Sequence, residues 1–209
     1  MVIKPPLVSS QIESKQMFRV DEDEIDKLEI ELGIPKGFFN SLLEDNDWAF
    51  VVKLHAFLES AVTFLLAEAV DPKLKRVLGQ LEMSNKKTGK LAFLSALEIL
   101  ESRSYRFISK LSELRNELVH NVKNISFSLP EYVNNMDNQQ LKSFMINYCP
   151  FGDEGFEKKD KWVNFAKTEP RKYIFNGATY LFTRIYNIRQ ISFNEKETAR
   201  LIKELPNEA

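Results

Sequence analysis

The sequence predicts an all-α protein: a helical bundle with an N-terminal helical extension and a partly irregular insertion before a long C-terminal helix. Three observations lead there. Between residues 48 and 123 every strong hydrophobic period is helical, with apolar residues recurring at steps of three and four. Glycine occurs 7 times in 209 residues, about half its usual share, which disfavours turn-rich all-β folds. Hydrophobic residues make up 44% and charged residues 28%, and 16 phenylalanines supply large side chains for a core.

The elements follow in order. Residues 1–20 lack a period and contain Pro5-Pro6, so they read as an extended arm. An acidic helix from Asp21 is stopped by Gly33 and Pro35, and 34–44 has room for another turn or two. Asp47 opens a strong helix over about 48–70, with Phe50, Val51, Leu54, Leu58, Ala61, Val62, Leu65 and Ala69 as its apolar stripe, and Asp71-Pro72 breaks it. Residues 73–88 are weaker, and Lys90 to Leu100 reads as a short buried helix. Ser102 is a suitable N-cap for a helix over about 103–123, whose stripe is Phe107, Leu111, Leu114, Leu118 and Val122. Residues 124–136 read as loop, and Asp137 with Gln140 can cap a short helix to about Tyr148. Pro170 starts a final strong helix to about Gln190, followed by a short charged helix near 195–205. The organisation is thus an arm (1–20), an acidic helical segment (21–47) and a bundle (48–209) carrying the insertion at 124–169.

Several function classes are excluded or disfavoured. The single Cys149 rules out an intramolecular disulfide and a cysteine-built zinc site. With two histidines and no HExxH, a zinc hydrolase is not expected, and neither a P-loop nor GxGxxG occurs. No cofactor or metal is expected. The first ten residues lack a secretory pattern, and the most apolar stretch, 61–70, is shorter than the roughly 20 residues of a membrane span. The expectation is a cytoplasmic protein with no membrane partner.

The net charge of −1 is unevenly distributed. Residues 21–47 carry ten acidic and two basic groups, a net of −8, and residues 84–124 carry eight basic and four acidic groups, a net of +4. Each reads first as a solvated helical face; the sharper reading has the basic stretch meeting phosphates and the acidic one shielding or mimicking them.

The most pointed feature is Arg115-Asn116-Glu117-Leu118-Val119-His120, near the end of the 103–123 helix. A helix turns about 100° per residue, so Asn116 and His120 share the face opposite Leu118, while Arg115 lies about 140° from His120. Within one helix Arg115 and His120 converge only if the arginine wraps round; a two-fold axis would remove the obstacle by duplicating each group. The plain alternative is that Arg115 and His120 cap the helix's last carbonyls and favour its dipole.

The segment Leu111 to His120, with Arg-Asn-x3-His, resembles the signature of HEPN domains, and the helix order over about 48–125 is similar to theirs. The resemblance implies a helical bundle, a homodimer and, in many members, a metal-independent endoribonuclease of toxin or phage-defence type. Arg115, Asn116 and His120 would be the catalytic residues. A neutral imidazole can take the proton of a ribose 2′-hydroxyl, and arginine's planar fork suits the non-bridging phosphate oxygens. The same stretch, with Gly89-Lys90-Leu91 and Phe127-Ser128-Leu129-Pro130-Glu131, also resembles the mannitol operon repressor family, which implies a non-catalytic regulator working by protein contact. That family tends to have glutamate where this chain has Asn116, so position 116 favours the HEPN resemblance.

Two further groups are candidates. His55 and Glu59 sit four apart on one helix face, with Thr63 continuing the row; they read as a structural pair, or as part of the same cleft as His120. Lys158, Lys159, Lys161 and Trp162 combine positive charge with an aromatic, a pattern suited to RNA and equally to a solvated helix end.

Overall fold

The structure is a computed structural model that describes residues 22–85, 87–149 and 159–204. The arm at 1–20 and Lys158 therefore lie outside the described residues. Among the described residues there is no strand, and ten α-helices form an all-α bundle: α1 (Glu22–Leu32), α2 (Phe38–Ser41), α3 (Asp47–Ala69), α4 (Lys75–Gly79), α5 (Lys90–Ala96), α6 (Ser102–Val119), α7 (Leu129–Asn134), α8 (Asn138–Asn147), α9 (Lys159–Thr168) and α10 (Pro170–Glu204).

Helix α3 is the axis. Asn46 caps it by accepting from the Ala49 amide at 2.8 Å, and it packs against α10, α6, α4 and α5. Its 23 residues have a mean hydropathy of 1.6 in their most apolar window, so by length and composition it passes as a membrane span, longer than the apolar stretch read from 61–70. Yet 61% of that window is buried inside the protein, as befits a helix ringed by others. An aromatic knot locks it to its neighbours. Phe39 of α2 stacks on Phe175 of α10 at 4.2 Å, and Phe57 of α3 stacks on Phe182 of α10 at 4.3 Å.

The acidic segment is largely consumed inside the fold. Glu29 is fully buried and accepts from the amides of Gly37 and Phe39 at 2.6 Å each, in the turn that Gly33 and Gly37 open with φ of 74° and 84°. Asp26 pairs with Lys36, Asp45 with Lys53, and Glu31 with Arg189 of α10. Asp47 holds three elements together: it accepts from Arg171 of α10 at 2.7 Å and from the Leu129 amide at the start of α7 at 2.8 Å.

Several boundaries differ from the sequence reading. Helix α6 starts one residue earlier, with Glu101 rather than Ser102 at the N-cap, and ends at Val119; Val122 lies in a following 3-10 turn. The loop expected at 124–136 contains α7, capped by Ser128 and opened by Pro130, so the insertion is more helical than expected. The Asp137–Gln140 capping box is formed as read. Helix α10 runs unbroken for 35 residues, because no glycine or proline interrupts 190–195.

Candidate functional site

The C-terminal end of α6 is where the Arg-Asn-x3-His segment sits, and the carbonyls of residues 116 to 118 there each have a hydrogen-bond donor. Trp48 of α3 donates from Nε1 to the Leu118 carbonyl at 3.3 Å. Asn124 donates from Nδ2 to the Glu117 carbonyl at 2.8 Å, and the His120 amide closes the helix on the Asn116 carbonyl at 3.2 Å. The capping duty that Arg115 and His120 could have performed is thus carried by Trp48 and Asn124.

Arg115 points elsewhere. Its Nη1 donates to Asn116 Oδ1 at 3.0 Å, drawing the half-buried guanidinium across toward the polar face of α6. That sideways reach is the wrapping that the angular separation demanded. As a result Arg115, Asn116 and the exposed His120 of a single chain all line one cleft, of about 330 Å3. A second copy is not needed to bring Arg115 and His120 together.

Helix α3 also lines the cleft, with His55 and Glu59. Each has its own partner. Ser112 Oγ donates to the Ile108 carbonyl at 2.8 Å, which spends its one proton. It must then accept from His55 Nε2–H, 3.1 Å away, so the hydrogen-bond network places the His55 proton on Nε2 and the lone pair on Nδ1. Burial lowers the His55 pKa to about 4, and Arg115 and Lys90 push the same way against Glu59. His55 is therefore a neutral imidazole at ordinary pH. The Ser112–His55–Glu59 sequence of side chains does not form a nucleophilic triad: Ser112 is 1% exposed and its proton is turned to the backbone.

Glu59 accepts from Lys90 Nζ at 2.6 Å. Lys90 is 1% exposed, so its charge is desolvated and needs this partner. Thr63, next in the row, donates to the Glu59 carbonyl at 2.7 Å.

The third wall, Glu82, Met83 and Ser84, was not a candidate from sequence. A tightly wound segment delivers it. The Lys90 amide donates to the Glu82 carbonyl at 2.9 Å and the Leu91 amide to the Met83 carbonyl at 3.1 Å, while Asn85 Oδ1 accepts from the amides of Lys87 and Thr88. A Cβ on Gly89 would lie 2.4 Å from the Glu82 carbonyl oxygen, so only glycine closes the segment this way.

The remaining candidates stay apart from the cleft. Lys161 is exposed on α9 and Trp162 is half-buried, packed edge-on to Phe165 at 6.1 Å; Lys159 opens the same helix. Among the described residues no group of three or more His, Cys, Asp or Glu is placed to hold a metal ion. No family model, curated protein or solved structure matches the chain, and the reading of the cleft rests on its geometry.

Proposed function

We propose that this protein is an RNA-directed, HEPN-type protein whose cleft holds a phosphodiester of single-stranded RNA and cleaves it without a metal. The observation that supports this reading most is that Arg115, Asn116 and His120 line one cleft together, while Trp48 and Asn124 are the side chains that bond the last carbonyls of α6. In the proposed step His120 takes the proton of the ribose 2′-hydroxyl, and the 2′-oxygen attacks the adjacent phosphorus. The bond from phosphorus to the 5′-oxygen breaks, leaving a 2′,3′-cyclic phosphate and a 5′-hydroxyl. Arg115, oriented by Asn116, faces the non-bridging oxygens as charge builds on them. The leaving 5′-oxygen needs a proton. His55 does not supply it, because burial keeps that imidazole neutral. In a homodimer the second copy's His120 would. A cytoplasmic toxin or phage-defence role belongs to the same proposal.

One observation favours a second reading, the non-catalytic regulator. The cleft is not strongly cationic: Glu82 lines it along with Arg115, and Glu59 is paired with Lys90. Such a balance suits a protein or small-molecule contact as well as a polyanion.

Incubating the purified protein with total RNA, with and without chelator, separates the two. Cleavage is expected under both conditions, and His120→Ala should reduce it by at least about 100-fold, the usual scale of a general acid–base group. His120 is exposed, so its removal should change unfolding free energy by no more than about 0.5 kcal/mol. Cleavage that persists in His120→Ala refutes the assignment, and absence of cleavage by the wild type leaves the regulator.

A further inference from the structure

Glu82 is out of place in a phosphate-directed cleft. A carboxylate there repels the RNA backbone, so it costs affinity unless something in the ligand offsets it. The other carboxylate of the cleft, Glu59, is tied to the buried Lys90. Glu82 is exposed, and among the described residues no side chain is bonded to its carboxylate. Its position is nonetheless held from behind, since its carbonyl accepts from the Lys90 amide and the next residue's carbonyl accepts from Leu91. Beside it Met83, 3% exposed, also lines the cleft.

We infer that Glu82 selects a guanine base, holding its Watson–Crick edge while Arg115 and His120 hold the adjoining 3′-phosphate. This rests on the RNA reading of the same cleft and adds the substrate's base to it. A carboxylate accepts from two parallel donors, and guanine alone among the four RNA bases presents two in a row, N1–H and the N2 amino group. Cytosine and adenine place a ring acceptor beside their amino group, which would face the second carboxylate oxygen unfavourably, and uracil offers a single N–H between two carbonyls. The cleft's volume of about 330 Å3 is at the small end of ligand sites, a size that suits one nucleotide rather than a duplex. Guanine's two donors replace the water that solvates Glu82 in the free protein, so the carboxylate's repulsion of phosphate is offset for this base and retained for the others.

The test has two arms. In the first, guanosine 3′-monophosphate and uridine 3′-monophosphate are titrated into the wild type and Glu82→Gln by calorimetry. The guanosine nucleotide should bind roughly 5- to 150-fold tighter, the range a bidentate base contact supports, and the ratio should fall to within about twofold in Glu82→Gln, whose amide presents a donor to a donor. In the second, an end-labelled RNA containing all sixteen dinucleotides is cut by both proteins and the ends are mapped. Wild-type cleavage should fall after guanosines, and the preference should disappear in Glu82→Gln. Equal binding of the two nucleotides by the wild type, or a guanosine preference that survives Glu82→Gln, overturns the inference whether or not RNA is cut. Cleavage without base preference removes Glu82's role and leaves the ribonuclease reading standing, whereas selective binding of the guanosine nucleotide without cleavage does the reverse.

Discussion

Burying a neutral imidazole in a cleft wall makes stability depend on pH in a calculable way. His55 titrates near its ordinary value of about 6.5 in the unfolded chain and at about 4 in the folded protein. The folded value is depressed, so the associated stability is fully present above about pH 6.5 and is lost as pH falls toward 4, when the unfolded chain takes up a proton that the folded state refuses. Integrating one proton between pH 7 and 4.5 with these two values gives a loss of roughly 2 kcal/mol from this residue. Carboxylates titrate in the same window, so the comparison must be a difference between proteins. His55→Gln keeps a donor for Ser112 Oγ and fills most of the space, but it does not titrate. Urea unfolding of wild type and His55→Gln at both pH values should show the wild type losing roughly 2 kcal/mol more on acidification. Parallel curves would mean that His55 takes up its proton in the folded state, with Glu59 outweighing burial, Arg115 and Lys90.

Two structural predictions concern the frame around the cleft. Glu29→Gln removes the charge that accepts from the Gly37 and Phe39 amides, and should cost about 2 to 4 kcal/mol in urea unfolding, more than the loss of one ordinary hydrogen bond; a change below about 0.5 kcal/mol would show that the turn holds without it. Gly177→Ala puts a Cβ 2.4 Å from the carbonyl oxygen of Tyr148 at the end of α8 and 2.9 Å from Phe107 of α6, so α10 must move off the end of α8, at a cost of about 1 to 3 kcal/mol in thermal or urea unfolding. A Gly177→Ala protein as stable as wild type would mean that α10 sits more loosely against the end of α8 than these distances.

The helices legible from sequence were those whose periodicity and punctuation agree. Asn46-Asp47 and Asp71-Pro72 bracket α3, and the Asp137/Gln140 box marks α8. Helix α7 was obscured because 124–136 has no sustained period, although Ser128-x-x-Glu131 with Pro130 is a local start signal that could have found it. The acidic 21–47 segment read as a solvated or phosphate-mimicking face because charge counting cannot see a partner 158 residues away, as Arg189 is for Glu31. The burial of Lys90 was illegible for a related reason: a lysine at a helix start is ordinarily exposed, and its position follows from Glu59 on another helix.

The cleft itself shows where one-dimensional geometry stops. Helical angles put Asn116 and His120 on one face and set Arg115 about 140° from His120, and backbone position does separate them in that way. Side-chain length is the missing quantity. An arginine spans enough distance to cross from the stripe's edge to Asn116, and Asn116 offers an acceptor at the point where the crossing ends. The two residues are adjacent in sequence, so the pairing needs no tertiary contact to form. It gives Asn116 a physical reason to be an amide. A glutamate there would hold Arg115 in a salt bridge and neutralise its charge, whereas the neutral carbonyl oxygen orients the guanidinium and leaves its charge available to an anion in the cleft.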